Sequence, residues 1–525
     1  MAVPKEIREV DRPVNTIVED NGREGPNRYA VRVRSSIRYV SGGNPQPHNG
    51  KVIGHIVDGR YIPEGEPLAD AKPDQLSYGA SAFAHSISGD LLHDLLDVYG
   101  AKDAYMIMAI ASLRVIRPSI PSDRLASLYR KTYISRYYPG VGISKNTVGK
   151  FLEALGEDGS KRKSFYQKRA DAVIASHHIA IDGTLKQDNS VVNDLSAFSR
   201  KARVRGCKEV SVLYAYDIEK MEPVCAEIFP GNSIDASSYS AFIRDNDIRK
   251  GIIVSDKGFP PAKIREELKD RPDLHFLTPI KRNDARIRDN DMLSFEGVLD
   301  GIDGNILYKK CIIKGGRYLY AYREPRKSAM EEASFLARRK KQGDFANEEY
   351  EKKRDIFGVI VFESDEDLDP KVAYTCYADR WLLELVFNRY KNDEGLDRTN
   401  VQNDFPVIGS EFINFISTVM TCRMLRKATT AGLLDTRSYG DLITDLSEVW
   451  RDADAPEPAA TNDGHWVHTL EYEFEELEAL GLSEPVPKPA PKKRGRPRKN
   501  PVPEDKPKRR RGRPRKNPLP VDQTG

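Results

Sequence analysis

The sequence contains few cysteines, and they form no pattern that binds metal or makes disulfides. Five cysteines occur among 525 residues, and none belongs to a CxxC pair. Free thiols in a reducing compartment are therefore expected, and no cluster of His and Cys ligands for zinc is indicated. His177 and His178 lie within a strand pattern and face opposite ways, which predicts a structural role for both.

Long apolar runs are also missing. The longest, Ala104–Leu113, covers about ten residues, roughly half of what a bilayer span needs, so no transmembrane helix is expected. The N-terminus lacks the apolar stretch of a secretory signal. No GxxxxGK[ST] loop is present to bind a nucleotide cofactor. We expect a cytoplasmic protein with neither a membrane nor a nucleotide partner.

Charge is distributed unevenly along the chain. The formal net charge is +4, yet residues 488–525 hold 15 Lys and Arg against 3 Asp and Glu, a net of +12. The rest of the chain has 68 basic and 76 acidic residues, a net of −8. A solubilising tail would explain the charge alone, but a basic tail on an acidic body also predicts a polyanionic partner.

Composition and periodicity divide the chain into regions. Asp58-Gly59 between two alternating apolar runs predicts a hairpin, and from about residue 170 strands alternate with helices, which is typical of an α/β fold. The Pro, Lys and Arg content of the C-terminus predicts disorder. The predicted regions are a flexible N-terminus (1–30), a β-hairpin and helical region (31–168), an α/β core (169–430) with a β-rich insertion (about 283–365), a helical region (431–484) and a disordered tail (485–525).

Residues 144–156 have the pattern of one amphipathic helix. Ser144 is a good N-cap, an apolar stripe begins at Val148, and Gly156 is a stop signal. A short helix after a turn is either the recognition helix of a helix-turn-helix or an ordinary packing helix. The pattern alone favours packing.

Two aspartates stand at the predicted carboxyl ends of apolar strands. Asp182 ends the run IAID and Asp256 ends the run IIVSD, and each is followed by Gly within two residues. In an open α/β sheet the functional crevice lies beyond such strand ends. For either aspartate alone, a cap of a turn or of the next helix is the better explanation.

A third acidic residue, Glu384, lies in a distinctive pattern of side chains. One helix is predicted over residues 371–392, and within it Tyr377, Arg380, Glu384 and Lys391 are separated by 3, 4 and 7 positions. At about 100° per residue these side chains share one helix face. An Arg–Glu pair on a solvated face would explain two of the four. Three carboxylates can hold two hard cations such as Mg²⁺ through oxygen and thereby support phosphodiester chemistry.

This set of residues resembles the DDE transposases of bacterial insertion sequences that carry a Tyr-x2-Arg-x3-Glu-x6-Lys signature. Tyr377, Arg380, Glu384 and Lys391 match that signature at every spacing, and the DGT and DKGF segments around Asp182 and Asp256 are similar to the family's first two acidic motifs. The resemblance covers roughly residues 30–430.

The resemblance implies an RNase H-like catalytic core with a β-rich insertion before the last acidic residue. It implies that Asp182, Asp256 and Glu384 are catalytic and hold two Mg²⁺ ions, with Mn²⁺ as a substitute. Tyr377, Arg380 and Lys391 would contact the DNA backbone near the cleaved end. A homodimer acting on double-stranded DNA, both transposon ends and target, is implied, as is an association with the bacterial nucleoid.

The basic tail repeats one octet, RGRPRKNP, at Arg494–Pro501 and Arg511–Pro518. Each copy resembles an AT-hook, in which Gly lets the backbone approach the groove floor, Pro keeps the chain extended and Arg side chains follow a narrow A·T minor groove. Two copies would add avidity. The predicted DNA-binding residues are Arg494, Gly495, Arg496, Pro497, Arg511, Gly512, Arg513 and Pro514.

Three functions remain open from the sequence. The first is an active transposase that cleaves transposon ends and transfers strands into a target. The second is an inactive or domesticated relative that binds DNA through its AT-hooks. The third is a stand-alone nuclease with the same fold. Because all three acidic positions are present, the sequence favours the first.

Overall fold

The computed structural model describes most of the chain in full. The described residues are 3–22, 28–38, 46–57, 59–63, 73–188, 190, 192–198, 206–231, 236–255, 261–342, 347–380, 384, 386–387, 398–399 and 403–484. The chain divides into two units, Met1–Glu484 and Pro485–Gly525. The two AT-hook repeats lie outside the described residues, and so do Asp256 and Lys391.

An antiparallel sheet forms near the N-terminus after a short helix. The elements are α1 (Lys5–Arg8), β1 (Thr16–Asp20), β2 (Tyr29–Arg38), β3 (Gln46–Val57) and β4 (Arg60–Pro63). The four strands follow one another in the order β1-β2-β3-β4. Val57 pairs with Arg60 where β3 turns into β4, which confirms the predicted hairpin.

A helical layer follows, introduced by a short strand. Its longest helix is apolar on most sides, and eleven of its sixteen residues are buried. The elements are β5 (Gln75–Ser77), α2 (Gly79–Ser86), α3 (Gly89–Tyr99), α4 (Ala101–Ile116), α5 (Leu125–Lys131), α6 (Ile134–Tyr137), α7 (Lys145–Glu157) and α8 (Gly159–Asp171).

An eleven-stranded mixed sheet forms the centre of the α/β core. The elements of this region are β6 (His178–Asp188), β7 (Ala197–Phe198), β8 (Lys208–Asp217), β9 (Glu222–Pro230), α9 (Ala236–Asp245), β10 (Gly251–Val254), α10 (Pro261–Leu268), β11 (Leu274–Pro279), α11 (Ala285–Asp289), β12 (Gly297–Val298), β13 (Leu307–Ile313), β14 (Arg317–Arg323), α12 (Pro325–Gln342), α13 (Asn347–Arg354), β15 (Val359–Ser364), α14 (Pro370–Asp379) and β16 (Arg398–Thr399). The strand order in the sheet is β12-β13-β14-β15-β11-β10-β6-β8-β7, with β9 on β8 and β16 on β6.

Strand directions define two parts of this sheet. Strands β6, β8 and β9 are antiparallel neighbours, whereas β10 runs parallel to β6 and β11 runs parallel to β10. The strand-rich segment β12–β15 joins the same sheet, because β15 pairs antiparallel with β11. The predicted β-rich insertion therefore widens the central sheet in the described residues.

One long helix lies between the sheet and the helical layer. This helix, α15 (Asp404–Thr430), contacts α4, α7 and β9 and has sixteen buried residues. Among the described residues it is the one helix long and apolar enough to cross a membrane, but 78% of its most apolar window is buried inside the protein. This burial is that of a core helix.

The segment after α15 is less helical than its sequence indicates. Two short strands separate its helices, and the first of them (Trp450–Asp452) pairs with β5 from the helical layer, so that residues far apart in sequence share a small sheet. The prediction of a mostly helical region was wrong here because the strands are two or three residues long and gain their pairing partner from elsewhere. The elements are α16 (Tyr439–Ser447), β17 (Trp450–Asp452), β18 (Trp466–Val467) and α17 (Glu471–Ala479).

Helix α7 packs closely on α15. Ser144 caps its N-terminus by accepting a hydrogen bond from the Thr147 backbone N–H, as predicted. Its apolar stripe is buried, and a Cβ at Gly156 would lie 1.8 Å from the Phe405 carbonyl oxygen. A Cβ at Gly409 of α15 would likewise lie 2.0 Å from the Leu152 carbonyl oxygen. These contacts support the interpretation of α7 as a packing helix.

The glycine contact gives a stability prediction with a control on the same helix. Gly156→Ala is expected to destabilise the protein by about 2–3 kcal/mol, because the two helix backbones must separate to admit the methyl group. Gly149→Ala is expected to stabilise it by about 0.5–1 kcal/mol, because nothing lies within 4 Å of that Cβ and alanine favours helix. Thermal melting of the two variants checks this; a Gly156→Ala protein that melts at or above the parent temperature would contradict the packing.

Candidate active site

Asp182 projects from the middle of β6, not from its end. Antiparallel pairing with β8 continues from Ile179 to Asp188, so the strand passes through Asp182 and Gly183 without the predicted turn. The reason is that β8 extends farther than the parallel neighbour β10, whose last described pair joins Val254 to Ala180. Asp182 therefore lies next to the place where β10 ends.

The Asp182 carboxylate is held on both oxygens. Its Oδ1 accepts a hydrogen bond of 2.8 Å from the Gly183 backbone N–H, and its Oδ2 accepts one of 2.9 Å from the Arg380 guanidinium. The Asp182 side chain keeps 23% of its surface exposed. It is thus fixed in direction and still reachable from solvent.

Arg380 lies between two of the predicted catalytic carboxylates. One of its guanidinium nitrogens contacts Asp182, and the other lies 3.6 Å from the Glu384 carboxylate. Arg380 is only 13% exposed, whereas Glu384 is 59% exposed. Residues about 200 positions apart in sequence are therefore brought to one guanidinium.

Helix α14 carries this arginine at its C-terminal end. Asp369 caps the helix by accepting hydrogen bonds from the Lys371 and Val372 backbone N–H groups. The Tyr377 ring packs 4.4 Å from the Phe362 ring of β15, and the Arg380 guanidinium lies over Tyr377 at 5.6 Å. These contacts hold the helix end against the sheet face that carries Asp182.

The predicted single helix over residues 371–392 needs correction. Helix α14 ends at Asp379 and Arg380 lies in a turn, while residues 384, 386 and 387 are again helical. Residues 381–383, 385 and 388–392 lie outside the described residues. Val386 and Phe387 are buried, and the Phe387 ring lies 5.5 Å from the Tyr214 ring. The Arg380–Glu384 contact is present.

The surroundings of Asp256 are described up to the preceding residue. Ser255 is fully buried, and its hydroxyl lies 2.7 Å from the Thr278 hydroxyl on β11. Asp256 itself lies outside the described residues. Of the predicted site residues, the structure thus brings together Asp182, Tyr377, Arg380 and Glu384.

A second group of ligand-type side chains lies at the start of β6. His177 contacts Asp217 at 2.8 Å and His178 contacts Glu219 at 2.7 Å, so each histidine has an acidic partner. His178, Glu219 and Cys376 place donor atoms within 4.8 Å of one another. The expectation that no His and Cys cluster exists was wrong, because its members come from three distant parts of the sequence and have no spacing signal.

The charges in this second group influence one another. Burial raises the pKa of the Glu219 carboxyl, but hydrogen bonds from His178 outweigh burial and bring this pKa below its usual value. Burial, followed by the nearby Glu219 charge, raises the pKa of the Cys376 thiol to about 12. The Cys376 side chain is therefore a neutral thiol around pH 7 when no cation is present.

Comparison with known families concerns the segment that contains Asp182, Arg380 and Glu384. Residues 176–405 match the family model of the transposase DDE domain. This match supports the interpretation of the chain as a DDE transposase. It spans less than half of the 525 residues and includes Asp182, Asp256 and Glu384.

Two solved structures are also similar to this chain, both distantly. One is the piggyBac transposase synaptic complex with hairpin DNA, with 10% identity, a TM-score of 0.37 and coverage of 71% of this chain and 80% of that chain. The other is the Mos1 transposase paired-end complex, with 11% identity, a TM-score of 0.14 and coverage of 36% and 57%. No curated protein matches.

Proposed function

We propose that this protein is a metal-dependent DNA transposase that cleaves transposon ends and transfers the strands into target DNA. The observation that carries the proposal is the position of Arg380 between Asp182 and Glu384, inside a segment that matches a transposase DDE domain. The signature that contains Arg380 and Glu384 points to the bacterial insertion-sequence group.

The proposed catalytic core is RNase H-like. Three antiparallel strands, β9, β8 and β6, continue into two parallel strands, β10 and β11, and this mixed order supports the proposal. The register of β10 on β6 supports a role for the second aspartate. Ile253 pairs with Ile179 and Val254 pairs with Ala180. Asp256 and Asp182 each follow the last of these paired residues by two positions in sequence, and on this ground we propose that Asp256 stands beside Asp182.

The donor set fits hard divalent cations. Asp182 and Glu384 offer only carboxylate oxygen, and a positive group, the Arg380 guanidinium, already lies between them. We assign Asp182, Asp256 and Glu384 as the residues that hold two Mg²⁺ ions, with Mn²⁺ as a substitute. When bound, such ions activate the attacking water or 3′-hydroxyl and stabilise the leaving oxygen.

The remaining side chains orient the DNA. Once the carboxylates are neutralised, the Arg380 guanidinium becomes available to a phosphate of the strand to be cut, where it can form paired hydrogen bonds. Its stacking on Tyr377 keeps the guanidinium plane fixed during that exchange. Tyr377 and Lys391 are proposed to contact neighbouring backbone positions. A homodimer is proposed because two transposon ends must be processed together, and the proposed location is the nucleoid within the bacterial cytoplasm.

A cleavage assay separates this proposal from the alternatives. The full-length protein is incubated with labelled linear DNA that carries the sequences flanking its gene, a supercoiled target plasmid and Mg²⁺. A transposase is expected to nick at the ends and then join them to the plasmid. Nicking without joining would point to a nuclease, and binding without nicking would point to an inactive DNA-binding relative; either result contradicts the proposal.

The tail is proposed as an accessory that binds A·T-rich DNA through the AT-hook repeats. A chain truncated after residue 487 loses a net charge of +12. Its affinity for A·T-rich duplex and the salt dependence of that affinity are expected to fall, because fewer counterions are released on binding. Cleavage at saturating DNA is expected to persist, and complete loss of nicking would show that the tail belongs to the catalytic machinery.

A further inference from the structure

Three side chains with different donor atoms converge at the end of β6 away from Asp182. His178 is the first residue of β6, Glu219 lies in the turn between β8 and β9, and Cys376 lies on α14. A His178 ring nitrogen, a Glu219 carboxylate oxygen and the Cys376 sulfur are within 4.8 Å of one another. His178 and Cys376 are both buried, at 3% and 7% exposure.

Among the residues that the structure describes, the hydrogen bonds of His178 leave one ring nitrogen without a partner. Its Nδ1 lies 2.7 Å from Glu219 Oε1, and its backbone N–H donates to Glu219 Oε2 at 2.8 Å. A carboxylate only accepts, so Nδ1 carries the proton and Nε2 keeps its lone pair in the neutral ring. Within the described part of the chain, this buried Nε2 has no hydrogen-bond partner. Buried polar atoms are nearly always satisfied, so this lone pair is available to a ligand.

We propose that His178, Glu219 and Cys376 form a zinc site separate from the catalytic carboxylates. Imidazole nitrogen, thiolate sulfur and carboxylate oxygen together are the ligands of Zn²⁺, whereas Mg²⁺ takes oxygen and does not select a thiolate. A histidine that donates through one nitrogen to a carboxylate and binds metal through the other is the usual arrangement in zinc sites. Glu219 therefore either orients His178 or binds the ion itself.

The position of the site suggests what zinc would do. Arg380 lies one helical turn beyond Cys376, and His178 lies four residues before Asp182 on the same face of β6. A zinc ion would tie α14 to β6 and thereby fix the helix end that presents Arg380 to Asp182. Cys376 binding would release the thiol proton to solvent. Zinc content can be measured without DNA, so this inference does not depend on the transposase proposal.

Metal analysis of the full-length protein tests the site. The protein is purified without chelator, equilibrated with Zn²⁺ in excess Mg²⁺, desalted and measured by mass spectrometry of the metal. About one zinc per chain is expected. Cobalt(II) in place of zinc is expected to give a thiolate-to-cobalt charge-transfer band in the near ultraviolet. Failure of the parent protein to retain zinc, or a cobalt complex without that band, overturns the proposal.

Variants assign the ligands. Cys376→Ser is expected to weaken zinc affinity by at least about 100-fold, because losing even an outer-shell partner costs 10–100-fold. Cys422→Ser, a matched change at another buried helical cysteine, and Asp182→Asn are expected to retain zinc. If Cys376→Ser retains zinc, the ion lies elsewhere and the assignment is overturned. Loss of zinc in His177→Asn alongside that retention would lead to the same conclusion.

Discussion

Asp182→Asn is expected to reduce DNA-end cleavage by about 10³-fold or more while leaving binding to the ends intact. The substitution keeps the size of the side chain but removes the charge that a divalent cation needs, and electrostatic stabilisation is usually the largest single contribution to such chemistry. Because Asp182 is partly exposed, the fold is expected to tolerate the change. Nicking rates, measured beside melting temperatures and end-binding affinities, check the prediction.

The other two carboxylates provide parallel tests and the chain provides a control. Asp256→Asn and Glu384→Gln are expected to have effects similar to that of Asp182→Asn. Asp369→Asn is the matched control, because it makes the same chemical change at the N-cap of α14 and asparagine caps helices as well as aspartate. Metal-dependent nicking that persists in any of the three site variants would contradict the assignment of that residue.

Lys186→Met is expected to produce the largest loss of stability among single changes near the site, about 3–5 kcal/mol. The Lys186 ammonium on β6 pairs with the Glu411 carboxylate on α15, and the two side chains are only 2% and 3% exposed. Removing the lysine leaves a buried carboxylate whose cation is gone, although Asn414 still donates to it at 3.0 Å. The shift of the denaturation midpoint measures the loss.

A double variant tests whether the loss of stability comes from the unpaired carboxylate that is left when one partner of the Lys186–Glu411 ion pair is removed. Lys186→Met with Glu411→Leu is expected to recover most of the lost stability, because apolar residues in place of a buried ion pair are often neutral. The exposed pair Lys5–Glu9 is the control, since its side chains are 82% and 67% exposed and Glu9→Gln should change stability by less than about 0.5 kcal/mol. A Lys186→Met protein as stable as the parent would show that the pair does not hold β6 to α15.

Turns and helix caps could be predicted from the sequence, because each is defined by residues that are close together in the chain. The β3–β4 hairpin follows from Asp58-Gly59, and the start of α7 follows from Ser144, because a turn and a helix cap are defined by neighbouring residues. The mixed α/β fold follows from the alternation of strands and helices after residue 170. The resemblance signature placed Arg380 beside Glu384, and the structure has that contact.

Other features depend on partners that are distant in sequence. The length of β6 beyond Asp182 is set by β8, and the strands after α15 exist because β5 pairs with β17. The packing of Phe387 on Tyr214 also joins positions that are far apart in sequence. Likewise, His178 and Cys376 meet only in the folded chain. None of these has a periodicity or spacing that a single sequence displays.

Anomalous diffraction from crystals of the DNA-bound protein grown in Mn²⁺ would locate the proposed metal ions. Two adjacent anomalous peaks are expected at the end of β10, with Asp182, Asp256 and Glu384 together supplying protein oxygen ligands and Arg380 displaced toward a phosphate. An occupied DNA complex in which the peaks are absent, or in which other residues bind the metal while Arg380 stays between Asp182 and Glu384, would contradict this expectation.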